Sequence, residues 1–110
     1  MNLIRVNDIN FKEHTSGFDC TILTFSANWC GKCKLLKPRL KQLARERNAS
    51  IGYFEAFIED SILLRDRFEI EHVPSTLALK NGKVVAKTHN TDENSMREMI
   101  DVFNEFAQTC

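Results

Sequence analysis

The apolar run at Ile22, Leu23 and Phe25 stops at Trp29, Cys30, Gly31, Lys32 and Cys33, and beyond that point the chain changes its period. Before the cysteines, hydrophobic residues framed by threonine and serine read as a buried strand from Cys20 to Ala27. After them, Leu36, Leu40, Leu43 and Ala44 recur at three- and four-residue spacing, one face of a helix running from about Cys30 to Asn48. Pro38 falls inside that helix, where it removes a hydrogen bond and bends the axis. A strand so continuously apolar is buried on both faces. The fold class that follows is α/β, a central mixed β-sheet flanked by helices on both faces.

The cysteine pair therefore sits where a strand gives way to a helix, and the first helical turn has backbone N–H groups without intrahelical partners. Those donors and the helix dipole favour an anion, so a thiol at Cys30 ionises more readily there than in water. Cys33, three residues on, shares the face of Cys30 and lies within disulfide reach. A bond between them closes so short a loop that its chain-entropy stabilisation is only about 2 kcal/mol, against nearly 5 for a loop of about a hundred residues. It suits a switch better than a staple. A C-x-x-C is also half of a zinc site, but Cys20, Cys110, His14, His72 and His89 are scattered singly and offer no second ligand pair. Zinc and two inert core cysteines remain the competing readings of the motif taken alone.

The rest of the chain extends this frame. Leu3 to Val6 reads as a first strand, and Asp8 as the cap of a short helix through Phe11 and His14. Ile51 to Phe57 is a strand, and Ser61 caps a helix carrying Ile62, Leu63, Leu64 and Phe68. Thr76 to Leu79 and Lys83 to Thr88 flank Asn81 and Gly82, a strong hairpin signal. From about Glu93, a last helix places Met96, Met99, Ile100, Phe103, Phe106 and Ala107 on a core stripe. Cys20 reads as a packing residue, Cys110 as a mobile free thiol, and the histidines as surface or loop residues. One domain over 1–110 is the expectation at this length, with no linker. Zero formal net charge argues against nucleic acid or acidic membrane as a partner. Met1 to Arg5 lacks the apolar core of a signal peptide and no stretch approaches a membrane span, so the setting expected is cytoplasmic. Residues 32 to 47 hold seven basic side chains against Glu46 alone, which makes either a solvated helix face or a surface that steers acidic partners.

With Trp29, Cys30, Gly31, Cys33, Lys34 and Pro38, then Val73 and Pro74 before a strand, then Asn81 and Gly82 at a hairpin, nearly the whole chain resembles the thioredoxin family. The resemblance implies a thioredoxin fold, Cys30 as attacking and Cys33 as resolving cysteine, and Pro74 as a cis-proline facing them. It implies a groove for an extended peptide lined by Trp29, Gly31, Val73 and Pro74, with Lys32 and Asn90 as further contacts. No cofactor beyond the Cys30/Cys33 disulfide and no metal are expected. The partners implied are protein disulfides and a thioredoxin reductase or other dithiol donor, with the chain itself a monomer.

Three positions depart from the family pattern. Lys32 replaces the usual proline, and a positive charge near the Cys30 thiolate is worth on the order of 1 kcal/mol, or roughly 20 to 30 mV toward the oxidising side. Thr24 stands where the family buries an aspartate that accepts the proton of the resolving thiol, and Ala56 stands nearest the place of its partner lysine. Water or Glu55 is then left as the base, and resolution by Cys33 is expected to be slow. Asn90 replaces a glycine of the substrate-facing loop. The function expected is reduction of protein disulfides by dithiol–disulfide exchange. The alternatives are a more oxidising exchange protein or isomerase, and a non-redox binding module.

Overall fold

A computed structural model describes residues 3–46, 51–88, 101, 102, 105, 106, 108 and 110, with residues 43–46 described as backbone only. Five strands form one mixed sheet: β1 (Ile4–Val6), β2 (Cys20–Ser26), β3 (Ile51–Phe57), β4 (Ser75–Lys80) and β5 (Lys83–Thr88), in the spatial order β1-β3-β2-β4-β5. β1 and β2 pair in parallel with β3, whereas β4 runs antiparallel to both β2 and β5. All seven residues of β2 are buried, as a strand at the middle of a doubly covered sheet requires. The hairpin turns at Asn81 and Gly82, whose φ values of 52° and 81° explain why this dipeptide stands there.

The helices are α1 (Phe11–Thr15), α2 (Gly31–Glu46) and α3 (Ile62–Arg67), with a 3₁₀ turn at Ile58–Asp60 that hydrophobic periodicity did not reveal. Alternation along the strands separates two cores. On one face, Cys20 and Ile22 of β2, Ile51 and Tyr53 of β3 and Ala78 of β4 meet Leu36 and Leu40 of α2 and Phe106. On the other, Leu23, Phe25, Phe54, Ala56, Leu77 and Leu79 meet Phe11, Leu64 and Phe68. Residues 101, 102, 105, 106 and 108 are helical and Phe106 is buried, in agreement with the expected last helix. The other members of its stripe, and His89, lie outside the described residues. His14 and His72 are exposed, as expected.

Three local readings are corrected. Asp8 does not cap α1: the Asn7 side chain accepts from the backbone N–H groups of Ile9 and Asn10 at 2.9 and 3.1 Å. Asp8 instead caps α3, accepting from Leu63 and Leu64 N–H at 3.0 and 2.9 Å, so the Ser61 side chain makes no cap there and donates to Asp60. Leu64 and Phe68 of the third helical stripe are buried, but Ile62 and Leu63 are exposed. The largest correction concerns Cys20 and Cys110, which are joined by a disulfide with Cα atoms 6.1 Å apart although they stand 90 positions apart in sequence. Cys20 opens β2 on the face that receives Phe106, and Cys110 follows one turn later, so the two thiols meet. Cys110 is therefore not a mobile free thiol.

Candidate active site

β2 ends at Ser26, the Cys30 N–H donates to the Ala27 carbonyl at 3.2 Å, and α2 begins at Gly31. This tight turn delivers Cys30 to the helix N-terminus and Cys33 to its first turn. The two are joined as a disulfide with Cα atoms 5.4 Å apart. The Cys33 N–H donates to the Cys30 Sγ at 3.2 Å, so the sulfur that receives a helix-terminal donor is that of Cys30. A thiolate formed at Cys30 is stabilised by that contact and by the dipole, and the first turn of α2 carries no acidic residue to oppose it.

Both cysteines are 5% exposed and form a small cluster with Ala27, against which Ile58 and Val73 pack. The Val73–Pro74 peptide is cis, and Ser75 Oγ donates to the His72 carbonyl at its base. Trp29, by contrast, is 72% exposed and borders an open groove of about 360 Å³ with Ile58, Arg65, Ile70, His72 and Val73. Val73 thus brings the cysteine cluster and the groove together. Gly31 and Lys32 are exposed on the first turn of the helix, whereas Asn90 lies outside the described residues.

Lys32 projects into solvent, where water and salt screen its charge. In the reduced protein, Lys32→Ala is expected to raise the Cys30 thiol pKa at low ionic strength, because it removes a nearby positive charge that favours the thiolate. Thiolate absorbance across a pH titration measures it, and an unchanged or lower pKa would remove Lys32 from the account.

Beneath Cys33 the register overturns one expectation. The strand partner of Thr24 is Glu55, and Ala56 pairs with Phe25 on the opposite face of the sheet. The residue beside Thr24 is therefore an acid, buried at 4% exposure. Its Oε1 lies 3.0 Å from Lys37 Nζ, and its Oε2 accepts from Ser26 Oγ at 3.2 Å. Lys37 and Ser26 went unnoticed in the sequence, although Lys37 follows Cys33 by four residues and so shares its helix face. Thr24 hydrogen-bonds with Thr76, hydroxyl to hydroxyl, at 2.8 Å. Among the described residues, no group of three histidine, cysteine or acidic side chains is arranged to hold a metal ion. None of the described helices is long and apolar enough to cross a membrane.

The thioredoxin family model matches residues 2–102. A thioredoxin of Haemophilus influenzae is 33% identical over 85 residues, covering 76% of this chain and 79% of that protein. The mitochondrial thioredoxin of Mus musculus is 38% identical over 66 residues, and this chain spans 40% of its length. Among solved structures, thioredoxin f2 of Chlamydomonas reinhardtii superposes with a TM-score of 0.81 at 21% identity, covering 96% of both chains. A mutant thioredoxin from Halobacterium salinarum gives a TM-score of 0.75 at 19% identity, over 92% of this chain and 89% of that one. The mixed sheet with helices on both faces is thus a thioredoxin fold, and with its family match the chain belongs to the thioredoxin family.

Proposed function

We propose that this chain is a thiol-disulfide oxidoreductase that reduces protein disulfides, with Cys30 as nucleophile and Cys33 as resolving thiol. The observation that carries the reading is the Cys30–Cys33 disulfide at the start of α2, with the Cys33 N–H on the Cys30 sulfur. The Cys30 thiolate attacks one sulfur of a substrate disulfide; the substrate bond breaks, its other sulfur leaves as a thiolate and is protonated, and a mixed disulfide forms. Cys33 then loses its proton and attacks the Cys30 sulfur. The second substrate thiol departs, and the Cys30–Cys33 bond stores the oxidation. A dithiol donor, a thioredoxin reductase or a simpler dithiol, returns two electrons.

The groove beside Trp29 is the place for an extended peptide, with Gly31, Lys32, Val73, Pro74 and Asn90 as its remaining contacts. The setting proposed is cytoplasmic, where a C-x-x-C at a strand–helix junction reads as a redox motif. The oligomeric state proposed is a monomer. A more oxidising exchange protein is the second reading, supported by Lys32 beside the pair and by the threonine at position 24.

A redox titration in buffers of fixed thiol–disulfide poise, followed by the fluorescence of Trp29, decides between them. The reductase reading expects a midpoint at or below the cytosolic glutathione poise of roughly −220 to −320 mV. A midpoint well above that range would make the protein an oxidant or isomerase. No transition at all would reject both.

A further inference from the structure

Beside Cys33 lies another cavity, of about 310 Å³, which shares no lining residue with the Trp29 groove. Its walls include Cys33, Lys34 and Lys37 from α2, Ser26 from β2, and Glu55 and Phe57 from β3. The Glu55 side chain is only 6% exposed, and a carboxylate so buried is retained as an ion only with a charged partner and hydrogen bonds. Lys37 and Ser26 supply those, one to each carboxylate oxygen. Each oxygen keeps a second lone pair, so the carboxylate retains acceptor capacity. The cavity it shares with Cys33 is large enough for a water between them.

The other groups around Glu55 do not compete for this role. Arg5 is its neighbour on β1, but the guanidinium lies 4.0 Å from the Phe57 ring centroid and pairs with Asp60 at 3.1 Å. Glu59 accepts at 2.8 Å from the N–H of Asn28, another residue that lines the cavity. Thr24 is engaged with Thr76 and cannot accept a proton near neutral pH. Lys34 lines the cavity and, like Lys37, favours negative charge within it.

From this arrangement we propose that Glu55 is the proton acceptor for Cys33 during resolution of the mixed disulfide, and that Lys37 is the positioning residue that holds its carboxylate at the cavity. The inference rests on the exchange reading given above and adds its second step. In the mixed disulfide, the Cys33 thiol passes its proton through water to Glu55, and the Cys33 thiolate attacks the Cys30 sulfur. The bond between Cys30 and the substrate sulfur breaks as the Cys30–Cys33 bond forms. The departing thiolate is then protonated by Glu55 or solvent. The acid enters from β3, one strand over from Thr24, so resolution need not be slow in this chain.

The test uses the protein with the Cys30–Cys33 pair reduced and the Cys20–Cys110 disulfide intact, and an aromatic disulfide that releases thionitrobenzoate, a coloured thiol. The first equivalent reports attack by Cys30 and the second reports resolution by Cys33. Glu55→Gln keeps the shape and an acceptor for Ser26, and Lys37 is 40% exposed and can turn to water, so the fold should survive. The expected result is a first phase within about twofold of wild type and a second phase about 100-fold slower at pH 7. The second phase of the variant should also steepen to about tenfold per pH unit between pH 6 and 8, as hydroxide replaces the lost base. Glu55→Asp, which restores a carboxylate, should recover the shallow profile.

A second phase in Glu55→Gln that matches wild type in rate and slope would overturn the inference. So would a slowing equal at every pH and unrelieved by aspartate, or a wild-type slope already near tenfold per unit. Failure of the underlying reading looks different: the first phase itself would be missing, or would persist unchanged in Cys30→Ser.

Discussion

Cys33→Ser is expected to turn the protein into a covalent trap, whereas Cys30→Ser leaves it inert toward the same substrate. With dithiothreitol as donor and a disulfide-bonded protein as substrate, turnover should fall to the donor-only background in both. They differ in what accumulates. Mass spectrometry of reduced Cys33→Ser, freed of dithiothreitol and then mixed with substrate, should show one substrate chain attached through Cys30, and Cys30→Ser treated the same way should show none. The asymmetry follows from the environments of two sulfurs that are equally buried. The Cys30 sulfur receives the Cys33 N–H and packs beside Val73, which borders the Trp29 groove, so its thiolate is both stabilised and near an incoming disulfide. Cys33 lines the inner cavity with Ser26 and Glu55, a place suited to losing a proton late in the reaction. Adducts on Cys33 in Cys30→Ser would reverse the assignment, and full activity in the double serine variant would mean that the cysteines are dispensable and that the chain acts as a binding module.

Much of this site was legible because its signals are local. The change from a buried strand to an amphipathic helix at Cys30 needs only adjacent residues, and β2, β3 and the Asn81–Gly82 hairpin all follow from patterns a few residues long. What escaped notice depends on placement between distant segments. Asp8 looks like the cap of the helix that follows it, yet its partners are Leu63 and Leu64, brought near because β1 and β3 pair in parallel. The neighbour of Thr24 was placed at Ala56, one residue from the true partner. A slip of one in a strand exchanges the two faces of the sheet. That slip puts a small apolar side chain of the far core in the place of Glu55, the one buried acid among the described residues. Lys37 went unread for a related reason: on a helix crowded with basic residues, its difference from Lys34 or Arg39 lies in the acid across from it.

Cys110→Ser is expected to lower stability by about 2 to 5 kcal/mol, the usual cost of losing a native disulfide from a small domain. The bond joins the start of β2 to the chain end 90 residues later, so its loop includes almost every element of the fold. In the chain-entropy account a loop of that size contributes about 4.5 kcal/mol, more than twice the value for the Cys30–Cys33 loop. It also fastens the helix bearing Phe106 over the core of Ile22, Leu36 and Tyr53, and without it that contact loses its covalent anchor. For a domain of this length the loss should lower the thermal midpoint by at least about 8 °C. Calorimetry or circular dichroism in buffer without reductant measures it, and excess dithiothreitol should bring wild type down to the variant. Cys30→Ser/Cys33→Ser separates the two bonds: it should keep most of the stability that Cys110→Ser loses. An identical midpoint for wild type and Cys110→Ser without reductant, or two titratable thiols in the oxidised protein, would show that Cys20 and Cys110 are not bonded.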